Sequence, residues 1–115
     1  MEHKEITSLA DAYKQTLLHE RDARMSLAVV QAEAEQVKVK LIHDANTSGA
    51  IDGKNAEIRA NQEKLILAED EEYNAALKDV GDWQANVSLA EVERKHAEAV
   101  ISLTRSWLRS QGGVI

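Results

Sequence analysis

No proline interrupts the 115 residues, and from Ile6 onward apolar side chains return every three and then every four positions. A backbone with every internal amide free to donate and an apolar period near 3.5 residues is satisfied by α-helices packed as a coiled coil. Ile6, Leu9, Tyr13, Thr16, Glu20, Ala23, Leu27, Val30, Ala34, Val37 and Leu41 mark the first stripe. The stripe predicts a helix over 3–45, about 64 Å long at 1.5 Å per residue. Thr16 and Glu20 break its apolar character, so that stretch is expected to be a polar layer or an overhang in solvent.

Asn46 to Gly53 collects the turn formers of the chain and predicts a loop over 46–53. Gly49 is the expected helix stop, because glycine enters the left-handed conformation at low cost. Asp52 is the expected N-cap, with the next helix starting near Gly53 or Lys54. Nothing in 54–110 forbids helix. Ile58, Asn61, Leu65 and Ala68 keep one register; Tyr73, Ala76, Val80, Trp83, Val87, Ala90, Arg94, Ala97, Ile101, Thr104 and Leu108 keep another, displaced by one residue. The displacement falls at Glu69-Asp70-Glu71-Glu72, where the helix either skips or breaks to begin a third. Gly81 interrupts the later register and marks either the close approach of a neighbouring helix or a tolerated surface site. The tail 111–115 is expected to fray.

Both long segments carry a second stripe facing away from the first. Leu18, Met25, Val29, Ala32 and Val39 form one; Ala85, Leu89, Val92, Ala99 and Leu103 form the other. Helices apolar on two sides call for more neighbours than one chain of this length supplies. The expected fold is therefore all-α: a single domain built as a long antiparallel helical hairpin or three-helix bundle with coiled-coil packing, completed by homo-oligomerisation. A dimer is the commonest closed form. Leu18, Met25, Val29, Val39, Leu89, Val92 and Leu103 are its expected oligomer core.

The net charge of −6 argues against non-specific binding to phosphate backbones, which rewards a basic face. Charge is unevenly spread: Asn55 to Val92 holds nine acidic residues against three basic ones, whereas beyond Ala99 only Arg105 and Arg109 are charged. With no cysteine, disulfides and thiolate metal sites are excluded. No apolar run approaches a membrane span and no signal-peptide pattern is visible, which gives a cytoplasmic expectation.

Chemical motifs are weak. Glu93-Arg94-Lys95-His96 has the Glu-x-x-His spacing of diiron bundles, but no second pair accompanies it, and His96 reads better as a partly buried structural histidine on the second stripe. Ser48 to Asn55 is superficially like a phosphate-binding loop, yet serine stands where the first glycine belongs and asparagine where Ser or Thr would hold magnesium. Turn and cap chemistry explains that loop better. The four carboxylates 69–72 lack the glycine-turned loop of a calcium site. No signature places a nucleophile in a triad. Neither a catalytic residue, a cofactor nor a metal site is expected.

Gly53-Lys54-Asn55-Ala56-Glu57-Ile58-Arg59 resembles a G-K-N-A-E-x-R element of small bacteriophage and prophage proteins. In those proteins an apolar helix and an acidic turn with a tyrosine follow. Leu65-Ile66-Leu67-Ala68 and Asp70-Glu71-Glu72-Tyr73 occupy those places here, without the proline often found in the turn. The resemblance covers about residues 49–80 in motif, implies a phage origin and brings no mechanism with it.

The expected function is non-enzymatic: a phage-type protein–protein interaction protein, either an accessory scaffold or an inhibitor of a host protein, acting through helical surfaces in the host cytoplasm. Its partners would be further copies of itself and an unidentified host or phage protein. Glu69, Asp70, Glu71 and Glu72 are the acidic candidates for meeting a basic partner. Arg94, Lys95, Arg105 and Arg109, with Trp107 available for stacking, form a small basic end, which also supports the alternative of a nucleic-acid accessory factor in recombination or replication. No membrane contact is expected.

Overall fold

A computed structural model of the chain describes residues 3–112. They form three α-helices, α1 His3–Ser48, α2 Ala56–Glu69 and α3 Glu71–Gly112, and no strand is present among the described residues. The protein is all-α. Helix α3 runs through Gln111 and Gly112, and the last three residues of the expected frayed tail lie outside the described residues.

The end of α1 follows from Gly49, whose φ of 83° lies in the left-handed region. The Ala50 amide donates to the Ala45 carbonyl at 2.9 Å and the Gly49 amide to Asn46 at 3.4 Å, the paired bonds of a Schellman stop. This turn drives Ile51 inward, where it is 6% exposed. Asp52 does not cap the next helix. Asn55 does, with φ −138° and ψ 170°, its side-chain oxygen accepting from the Ile58 amide at 3.0 Å. The reason is a competing partner for the loop: Gln62 Oε1 accepts from the Asp52 and Gly53 amides at 3.2 and 2.9 Å, while its Nε2 donates to Asp52 Oδ1 at 2.9 Å. Gly53 is required by close approach, since a Cβ there would meet Ile58 Cγ2 at 2.6 Å.

Between α2 and α3 the helix breaks at a single residue, Asp70, with φ −81° and ψ 120°. Its Oδ2 accepts from the Tyr73 amide at 2.7 Å, which caps α3, and Asn74 Nδ2 donates to the Ala68 carbonyl that the break leaves open. The break is not accompanied by the expected change of phase. Ile58, Asn61, Leu65 and Ala68 are all exposed, whereas Gln62, Ile66 and Asp70 are partly buried and lead directly into Tyr73, Ala76 and Val80. The Gln62 clamp and the Asp70 cap fix the inward face of α2, so polar residues lie where an apolar scan looks for leucine. Gly81 stands in open space: a methyl group added there would meet nothing within 4 Å, so it is a surface site and not a helix contact.

The chain divides into two compact units. In the first, residues 3–25 of α1 pair antiparallel with 85–112 of α3: Tyr13 meets Glu98, Glu20 meets Arg94 and Arg24 meets Glu91. Ala23, Val87 and Ala90 are its buried residues. The second unit, Ser26–Gln84, contains the rest of α1, the loop, α2 and the start of α3. Ala34, Ala45 and Ile51 are buried there. Cores of alanine, valine and isoleucine let helices approach closely while burying little apolar area per residue.

Candidate functional site

Within the first unit, the expected polar stretch of α1 is a polar layer. Arg94 Nε donates to both carboxylate oxygens of Glu20 at 3.0 Å, and its Nη1 donates to Glu98 Oε1 at 2.8 Å. Tyr13 Oη donates to the same Oε1 at 3.0 Å. Arg24 stands 3.6 Å from Glu20 and 3.8 Å from Glu91, and Lys95 reaches Glu91 at 2.7 Å. His19 Nδ1 lies 3.3 Å from Glu93 Oε2. Hydrogen bonds to Glu20, and then to Glu98, raise the Arg94 pKa above the usual guanidinium value. The Arg94 hydrogen bond, seconded by Tyr13, holds the Glu98 carboxyl below the usual range, and Lys95 does the same for Glu91. Donation to Glu98 in turn pushes the Tyr13 hydroxyl up.

Glu20 and Arg94 are visible in the sequence as the charged members of the two seam stripes, with opposite signs. Periodicity alone does not pair them, because it fixes which side of a helix faces inward and not which turn faces which. His19 carries no motif at all. Only the antiparallel register brings it to Glu93, and that contact takes Glu93 away from the Glu-x-x-His reading. His96 is exposed rather than partly buried, because it lies on the outward side of α3 with Val92, Ala99 and Leu103, which are exposed as well. No group of three or more potential metal ligands occurs among the described residues.

The outward stripes are bare. Met25, Leu89, Val92 and Leu103 in the first unit, and Val29 and Val39 in the second, are 57–71% exposed, and Leu18 is partly buried. Scattered exposed leucines are ordinary, but these recur on one side of each helix. At the end of the first unit, a groove of about 470 Å³ is lined by Ile6, Leu9, Tyr13, Ile101 and Leu108, with Arg105 and Glu98 among its polar lining groups. Arg105 and Arg109 are exposed and have no acidic partner among the described residues. Trp107 is 46% exposed.

The acidic candidates separate. Glu69, Glu71 and Glu72 are exposed and form no ion pair among the described residues, whereas Asp70 is partly buried and committed to capping α3. The G-K-N-A-E-x-R element is the junction between loop and α2. Gly53 permits the close approach, Asn55 caps, and Arg59 Nη1 donates back to the Gly53 carbonyl at 3.2 Å. The loop amides at Asp52 and Gly53 are occupied by Gln62 and so are not presented to a phosphate. No described helix is long and apolar enough to cross a membrane. No protein-family model matches the chain, and neither a curated protein nor a solved structure matches it.

Proposed function

We propose that the chain is a non-enzymatic, phage-type interaction protein, a scaffold accessory or an inhibitor of a host protein, that works by presenting apolar helix faces. One observation carries the reading: Met25, Leu89, Val92 and Leu103 stand exposed on the side of their helices that faces away from the seam. Burying such side chains against a partner is favourable by about 25 cal/mol per Å² removed from water. The likeness of residues 53–59 to phage proteins supplies the setting. Exposed Glu69, Glu71 and Glu72 add a surface suited to a basic partner.

Capture from phage-infected and uninfected host lysates tests this, using immobilised wild type beside an L89Q/V92Q/L103Q variant. These residues are mostly exposed, so helicity should be retained while captured protein is lost. Equal capture by both would overturn the reading. Charge reversal at Glu69, Glu71 and Glu72 probes the acidic surface, with Asp70 left intact because its loss would uncap α3.

The alternative of a nucleic-acid accessory factor draws on exposed Arg105, Arg109 and Trp107. Arg94 and Lys95 do not join them, being held by Glu20, Glu98 and Glu91. Two exposed cations make a small phosphate footprint. This alternative requires a salt-sensitive shift of single-stranded DNA at low ionic strength that R105E/R109E abolishes.

A further inference from the structure

The groove between α1 and α3 in the first unit is incompletely closed. Its seam is unfinished. Leu9, Tyr13, Ile101, Thr104 and Leu108 are each only partly buried, and Ile6 is 41% exposed, although all occupy inward positions. Farther along the same seam Ala90 is fully buried and Ala23 nearly so. Two helices alone cover the small residues but leave the larger ones half open.

Glu98 and Arg105 lie along the groove two turns of α3 apart, about 10 Å at 1.5 Å per residue. A separation of seven residues returns them to the same side of the helix. Each has unused capacity. Both Tyr13 and Arg94 donate to Glu98 Oε1, leaving Oε2 without a donor among the described residues, and Arg105 has no acidic partner among them.

We infer that this groove is the contact between two copies of the chain, apposed about a two-fold axis that crosses the helices at the level of Ile101 and Ser102. In that arrangement α3 meets its symmetry mate antiparallel, and residue 98 of each copy faces residue 105 of the other. Two reciprocal Arg105–Glu98 ion pairs then flank the apolar strip, each using the oxygen that has no donor among the described residues. The order acid-then-base is self-complementary only in this sense of pairing. A parallel mate would set Glu98 against Glu98. Because Tyr13 is level with Glu98, Ala10 sits near the axis, where a methyl side chain lets the two α1 segments approach. An isologous contact of this kind closes at two copies.

The inference rests on the reading of the chain as an association protein and assigns self-association to the groove instead of the outward stripes that spacing offers as an oligomer core, leaving those stripes to a different protein. Light scattering of the full chain over a concentration series tests it. The wild type should have the mass of two chains, and R105E should weaken that association by about tenfold or more while keeping its helicity. E98R should weaken it as well, and E98R/R105E, which restores opposite charges across the axis, should recover most of the affinity. That recovery guards against E98R acting merely by disturbing Tyr13 and Arg94. An unchanged dimer in R105E, or no recovery in the double variant, overturns the inference. So does a single-chain mass for the wild type, or loss of the dimer in L89Q/V92Q/L103Q with R105E unaffected. Lysate capture that depends on the stripes would survive a single-chain mass for the wild type or an unchanged dimer in R105E.

Discussion

In the unit formed by residues 3–25 and 85–112, opposed helices are joined through Glu20–Arg94, Arg24–Glu91, His19–Glu93 and Tyr13–Glu98. In Ser26–Gln84 the described residues make no ion pair, and the cohesion comes from Ile51, Ala34 and Ala45, the Schellman stop at Gly49 and the Gln62 clamp. The contrast shows two ways for a chain with few large buried side chains among the described residues to fix a helix pair. One uses a charged layer whose partners must coincide; the other uses a loop whose amides from Gly49 to Gly53 are all assigned. Charged layers are weak sources of stability and strong sources of register, because sliding by a turn strands a partly buried charge. Capped loops act locally and need no ion pair.

The largest effect should come from the uncharged unit. Ile51→Ala removes its most buried large side chain and should cost about 2–4 kcal/mol in denaturant unfolding. A change under about 1 kcal/mol would show that the loop is not what holds this unit. In the charged unit, Glu20→Leu should lower the unfolding midpoint by less than Ile51→Ala. Glu20→Leu with Arg94→Leu should recover or exceed the wild-type midpoint, with more than one helix pairing populated in disulfide-trapping assays. A double variant that keeps a single register would remove the assigned role of the layer.

Acid sharpens the same contrast. Glu98 and Glu91 have folded pKa values below the ordinary glutamate value near 4.3, so their stabilisation is present above about pH 4.3 and is lost as pH falls through the folded values. Amide exchange at about pH 3 should therefore accelerate around Tyr13, Arg94 and Glu98 before it does around Ile51 and Gln62. Equal acceleration in both units would contradict the division. Gly81→Ala is the smallest change. It lies in open space on α3 and should add up to about 1 kcal/mol through helix propensity alone.

The seams were legible because burial follows periodicity. Every member of the stripe from Leu9 to Leu41, and every member from Tyr73 to Leu108, is buried or partly buried. Helix α2 was not legible in the same way. Its inward face is set by Gln62 and Asp70, which bond to backbone, so the apolar choice of Leu65 pointed to the wrong side. Asp52 and Asn55 are both competent caps, and only the Gln62 contact decides between them. The outward stripes could be read as exposed-or-partnered from spacing, whereas the groove could not. It depends on Glu98 facing Tyr13, a pairing that only the antiparallel register supplies.

The claim that the outward stripes are binding faces is tested most directly by hydroxyl-radical footprinting of the chain alone and bound to its captured partner. Met25, Leu89, Val92 and Leu103 should react readily in the free chain and lose reactivity on binding, while Val87 on the inward seam stays protected in both. Stripe residues that remain fully reactive in the complex, with protection appearing elsewhere, would contradict the account.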